Sequence, residues 1–196
     1  MDARITEALN RLIEGNARFS RADPERRGLF PDTGSGVPSA PASLAAVLGC
    51  SDPRAPVDSI FDLAPGSLFV VRVAAHVLDD SIVGSLEFAA DYLGVPLIVV
   101  MGHDDCRAIR YTVEQAAAPG NIATLLDAIE PSVLRARNRG ARPEDLVEEA
   151  TLEHVRATVA GLRTSRVLHP LLDRGKVEIR SALYHLATGV VEWLAP

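Results

Sequence analysis

Cysteine is scarce in this 196-residue chain: there are two, Cys50 and Cys106. That excludes a disulfide-stapled framework, and the polar groups beside both residues argue against pairing them with each other. Long apolar runs are also missing. The longest, Leu44–Cys50 and Val95–Gly102, are strand length, so no membrane span is expected. The first residues, Met-Asp-Ala-Arg-Ile-Thr-Glu, lack the apolar core of a secretory signal. A cytoplasmic location is therefore expected, in agreement with two reduced thiols. Positive charge is not in excess: the formal charge is −6 and the pI about 5.4. No nucleic-acid partner is expected on that balance, and Arg18, Arg21, Arg26 and Arg27 read as a solvated helix end and loop. There is no internal repeat and no low-complexity tract.

What is present is globular: 47% hydrophobic and 23% charged residues, in a chain long enough to bury a core as one domain. Ile5, Leu9, Leu12, Ile13 and Phe19 recur near helical spacing, which predicts a helix over 3–19. Residues 21–43 hold Gly28, Pro31, Gly34, Gly36, Pro38 and Pro41 and read as an irregular arm. Leu44–Gly49, Ser67–Arg72 and Leu97–Met101 read as buried strands, with helices at Pro56–Leu63 and Ser81–Leu93 between them. Further helices are predicted over 104–117, 121–138 and 143–165. A closing strand pair is predicted at Lys176–Tyr184 and Val190–Leu194. Strands alternating with helices predict an α/β fold with a mostly parallel central sheet flanked by helices. The expected domain runs over 1–196, as a helix and arm (1–43) and an α/β core (44–196).

This order puts Cys50 at the carboxyl end of one central strand, and His103 and Cys106 just past the end of another. Ligand sites in open α/β sheets gather there. Two thiolates and an imidazole form a soft three-ligand set that suits Zn²⁺ and leaves a fourth tetrahedral position open, as catalytic sites do. Asp52 and Arg54 point the same way on an extended segment. The guanidinium can hold the carboxylate bidentately and keep it ionised. Asp52 can then accept a hydrogen bond from a zinc-bound water, or swing onto zinc and shut the site. Asp104 and Asp105 read as complements to a helix N-terminus. His154, His169 and His185 read as surface or packing residues. His76 is less easily set aside, because it follows Arg72 near the same strand end.

These segments closely resemble the β-class carbonic anhydrases. Cys50-Ser51-Asp52-Pro53-Arg54 matches that family's Cys-x-Asp-x-Arg, and Gly102-His103-Asp104-Asp105-Cys106 its Gly-His-x-x-Cys. Gly66–Arg72 is similar to its Gly-Asp-x-Phe-Val-x-Arg strand, with Ser85–Ala89 in the helix that follows. Leu12–Phe19 is similar to its opening helix and Tyr184–Gly189 to its last hairpin. The resemblance implies zinc-dependent interconversion of CO₂ and bicarbonate. Cys50, His103 and Cys106 then map onto the metal ligands and Asp52 and Arg54 onto the catalytic dyad. It also implies a homodimer or homotetramer, with the N-terminal helix packed on a partner subunit.

The chain departs from the family pattern around the site. Arg107 stands where Gly usually follows the second cysteine. Arg-Asn-x-x-Asn becomes Arg72-Val73-Ala74-Ala75-His76, and a common aromatic hydroxyl becomes Phe88. A substrate-orienting Gln of one subclass has no counterpart near Pro41-Ala42-Ser43. Arg72, His76, Phe88 and Arg107 are accordingly expected to line the substrate pocket. Three readings stay open at this point. One is a carbonic anhydrase with a modified pocket. Another is a zinc enzyme hydrolysing carbonyl sulfide or carbon disulfide. The last is a non-catalytic zinc- or anion-binding relative.

Overall fold

A computed structural model describes residues 2–22, 43–114 and 117–195. Five strands form one sheet: β1 (Ala45–Cys50), β2 (Leu68–Val73), β3 (Leu97–His103), β4 (Glu178–Tyr184) and β5 (Val191–Trp193). Their order is β2-β1-β3-β4-β5; the first four are parallel, and β5 runs antiparallel to β4. Every residue of β1 and β3 is buried, as expected of central parallel strands covered on both faces.

Alternation along those strands divides the core. Ala45 and Val47 of β1 and Leu97, Val99 and Met101 of β3 pack with α1 (Ala3–Ser20) and α2 (Val57–Ile60). Ala46 and Leu48, with Ile98 and Val100, face α3 (Asp80–Glu87) and α6 (Leu146–Arg163). A third apolar cluster lies at the carboxyl end of the sheet. It joins Cys50 and Cys106 to α4 (Arg107–Val113), α5 (Ile122–Asn138) and α6.

The predicted elements stand, with four differences. α2 is shorter than expected. α3 gives way to a π turn over Phe88–Tyr92. α4 starts three residues later than expected, because Asp105 takes a left-handed φ of 49° that a right-handed helix cannot contain. A short helix, α7 (Leu168–Asp173), was not anticipated. Its Pro170 lies in the first turn, where no intrahelical N–H is required. Most of the arm, residues 23–42, and residues 115–116 at the end of the expected 104–117 helix lie outside the described residues.

α1 is capped by the Asp2 side chain, which accepts from the Arg4 N–H at 3.1 Å. It buries Ile5, Ala8 and Leu12 against its own chain. Gly15 is needed there, since a Cβ would sit 1.9 Å from the Phe61 carbonyl oxygen. One turn of helix rests on Asn16. Its Nδ2 donates to the Ile60 and Gly189 carbonyls at 3.2 and 2.8 Å, and its Oδ1 accepts from the Val191 N–H at 2.8 Å. The amide thus ties α1 to the terminal strand pair. Asn16→Ala would strand these buried backbone groups and should lower the unfolding free energy by about 1–3 kcal/mol in urea titration. An unchanged midpoint would show that the amide does not hold the helix.

Candidate metal centre

β1 and β3 are neighbours, paired in register through Gly49 and Met101. Cys50 and His103 therefore emerge beside each other. The chain then turns through Asp104 and Asp105, and the left-handed Asp105 sends it back so that Cys106 caps α4 next to both. The ligand atoms of Cys50, His103 and Cys106 all lie within 4.8 Å of one another, on residues that are each buried.

The imidazole is prepared for a metal. His103 Nδ1 lies 2.7 Å from the Asp104 carbonyl, which can only accept, so Nδ1 carries the ring proton. Nε2 is buried without a partner, and its lone pair is free. The thiols are prepared as well. Contact with Cys106, then with His103, lowers the Cys50 pKa to about 4, against the cost of burial. The Asp52 and Ala75 N–H groups donate to its sulfur at 3.4 and 3.3 Å. The neighbouring Cys50 sulfur and burial push the Cys106 thiol up. Burial opposes protonation of His103, but Cys50 outweighs it and the pKa rises. One thiol proton leaves easily and the second is held: two like donors in contact want a cation between them. Soft donors, a free Nε2 and a buried setting fit Zn²⁺.

Beside this centre Arg54 grips Asp52 in the expected bidentate manner. Nε reaches Oδ1 at 3.0 Å and Nη2 reaches Oδ2 at 2.8 Å, while the Arg54 N–H donates to Oδ1 at 2.9 Å. The guanidinium holds the Asp52 carboxyl well below the usual carboxylate range. Arg54 has a second carboxylate that the sequence reading assigned elsewhere. Nη1 donates to Asp105 Oδ2 at 2.9 Å and Nη2 to the Asp105 carbonyl at 3.0 Å. Arg110 Nη2 closes the chain on Asp105 Oδ1 at 2.6 Å. Asp105 therefore bridges two arginines; the Arg54 contact spans 51 positions, so no local pattern signals it.

Of the residues expected around a substrate, Arg72 spends its guanidinium on backbone. Nε donates to the Cys50 carbonyl at 2.9 Å and Nη2 to the Asp52 carbonyl at 2.7 Å, which fixes the loop that carries the dyad. His76 is 1% exposed, its ring centroid 4.9 Å from that of His154. Arg107 is exposed on the first turn of α4. Phe88 is half exposed and stacks on Tyr92 at 4.9 Å. Of the histidines read as surface or packing residues, His154 is buried in packing and His169 is exposed. His185 sits between Asp104 and Glu192.

The family described as carbonic anhydrase matches residues 45–191 of this chain. The chain belongs to the β-class carbonic anhydrases. It is 37% identical over 186 residues to a carbonic anhydrase of Mycolicibacterium smegmatis, covering 92% of this chain and 89% of that protein. It is 35% identical over 183 residues to carbonic anhydrase 2 of Mycobacterium tuberculosis, covering 91% and 87%. Among solved structures, a Sordaria macrospora β-carbonic anhydrase, described as tetrameric, superposes with a TM-score of 0.74. It covers 97% of this chain and 96% of its own, and at 21% identity it supports the fold alone.

Burial lowers the His154 pKa to about 4 and drives that of His76 well below its ordinary value of 6.5. Below an ordinary histidine pKa the unfolded chain takes up these protons while the folded chain does not. Stability therefore falls as pH is lowered through this window, by about 1.4 kcal/mol per unit for each group. His154→Gln removes one of them. Urea unfolding between about pH 6 and 4.5 should show a shallower decline in the variant than in the wild type. Parallel slopes would refute the assignment.

Proposed function

We propose that this carbonic anhydrase catalyses the reversible hydration of CO₂ to bicarbonate and a proton, with Zn²⁺ held by Cys50, His103 and Cys106. The carrying observation is the placement of an ionised, arginine-clamped Asp52 two residues after Cys50 of a buried Cys-His-Cys donor set. When bound, zinc supplies the Lewis acidity that brings the pKa of water toward neutrality and makes hydroxide available to attack CO₂.

The rest is done by the chain. Asp52 accepts a hydrogen bond from the reacting water and aims its lone pair at the carbon of CO₂. Arg54 keeps that carboxylate charged and immobile, because Nε and Nη2 occupy one lone pair on each oxygen. Arg72 holds the loop by its carbonyls, so the dyad keeps its distance from Cys50. Because Arg54 holds both carboxylate oxygens of Asp52, the carboxylate would stay on the guanidinium and leave the Cys50, His103 and Cys106 donor set open to water.

The same reading takes the active form as a cytoplasmic homodimer or homotetramer. Support comes from Ile13, 43% exposed on α1 and outside its buried residues. Among the described residues no helix is long and apolar enough to cross a membrane.

Stopped-flow CO₂ hydration on zinc-quantified protein, at about pH 7 and again near 8.5 around the zinc-water pKa, tests the proposal. We expect turnover that falls about 100-fold or more in Asp52→Ala, at unchanged zinc content. Cys106→Ala should fail to retain zinc; full occupancy in that variant would refute the ligand set. Stoichiometric zinc with no CO₂ turnover at either pH would overturn the function and direct the assay to carbonyl sulfide.

A further inference from the structure

The Cys50 sulfur accepts a hydrogen bond from the Ala75 N–H at 3.3 Å. That donor is held in an unusual place. Ala75 (φ 50°, ψ 26°) and His76 (φ 46°) are consecutive residues in the left-handed region, and neither is glycine. Such a conformation persists only where the surroundings over-determine it. Here the constraint comes from α5 and α6, across the cluster below the site.

His76 is 1% exposed, and its ring lies 4.9 Å from that of His154 at 47°. The fit is close. A methyl on Gly102 would meet Val155 Cγ2 at 2.7 Å and Thr151 Cγ2 at 3.3 Å, so the bare Gly102 lets α6 close on β3, with His76 Cε1 in ordinary contact at 3.5 Å. His154 is anchored from its far side. Ser132 Oγ lies 3.2 Å from its Nδ1 and accepts from Arg135 Nη2 at 2.9 Å. Ser132 thus joins His154 on α6 to Arg135 on α5.

His154 Nε2 and both ring nitrogens of His76 are buried without partners. Buried polar atoms are rarely left so. The two rings are neighbours, with centroids 4.9 Å apart, so the three unpartnered nitrogens lie together. The Ala75 carbonyl also lies against His154, where it favours a proton on the ring. His76 stands where the family pattern has Asn, so this pairing belongs to the chain's own departure from the pattern.

We propose that His76 and His154 are positioning residues for Cys50: a buried imidazole pair, anchored by Ser132, that locks the Ala75–His76 turn and aims the Ala75 N–H at the sulfur. The pair lies outside the Cys50-His103-Cys106 donor set. It acts through one backbone hydrogen bond to a thiolate, and so on the hold that the site has on its metal. This rests on the zinc reading above.

The test uses His154→Phe, which keeps a ring of similar size without nitrogen, and Ser132→Ala, which removes only the anchor. Two quantities are read on the full chain: zinc retention against a chelator, and hydrogen exchange at the Ala75 amide by NMR. Loss of an outer partner of a metal ligand loosens zinc by about 10- to 100-fold. We expect that range for His154→Phe, a smaller loosening for Ser132→Ala, and faster Ala75 exchange in both. Zinc retention and Ala75 exchange equal to the wild type in both variants, whatever happens to Tm, would overturn the proposal and leave the pair as packing. Should His154→Phe fail to fold, Ser132→Ala decides alone. Should the wild type itself hold no zinc, the metal reading fails, and Ala75 exchange still decides whether the pair positions the donor.

Discussion

The parallel pairing of β1 with β3 is the contact on which the site depends. It brings the carboxyl ends of two strands separated by about fifty residues of chain to adjacent positions, so that Cys50 and His103 leave the sheet side by side. The pairing is robust because both strands are apolar throughout and are covered by helices on both faces. A one-residue slip would send both strands' side chains to the wrong layer. The same burial that stabilises the sheet makes the donors at its end intolerant of lone charge, which a bound divalent cation would relieve.

Electrostatics around the centre are arranged as a chain of alternating charge rather than as isolated pairs. Asp52, Arg54, Asp105 and Arg110 follow one another, each contact within hydrogen-bond distance. Asp52 is the least exposed of the four, so its contact with Arg54 is the least screened by solvent. Asp105 and Arg110 are about half exposed and steady the outer end of the guanidinium. Arg72 fixes the backbone beneath. The Asp52–Arg54 pair is thus held from side chain and main chain at once, which suits it to the orienting role proposed for it.

Much of this was readable without coordinates. The strand-helix alternation, the closing strand pair and the meeting of Cys50, His103 and Cys106 at the strand ends follow from apolar runs and from the residue types at those ends. The Asp52–Arg54 pair is a two-residue spacing on an extended segment and is local. What escaped is non-local or conformational. Asp105 looks like a helix-start carboxylate until Arg54 arrives from another strand end. Arg72 looks like a substrate residue until its guanidinium is found on the Cys50 and Asp52 carbonyls. The α7 helix hides behind Pro170, which reads as a breaker when its place in the first turn is unknown.

The sequence by itself determined which groups are available for chemistry: two cysteines, a histidine three residues before one of them, and a carboxylate two residues from an arginine. Side-chain identity and short spacing set donor softness, charge and local reach, and these are properties of the chain alone. Only the tertiary structure decided which of the remaining candidate side chains are buried near the donor set. His76 and Phe88 both lie between Cys50 and His103 in the chain. One is buried against His154 beneath Cys50, and the other lies on the surface beside Tyr92. The reason is that burial and partnership depend on which helices close over the sheet, and that packing is settled by contacts far apart in sequence.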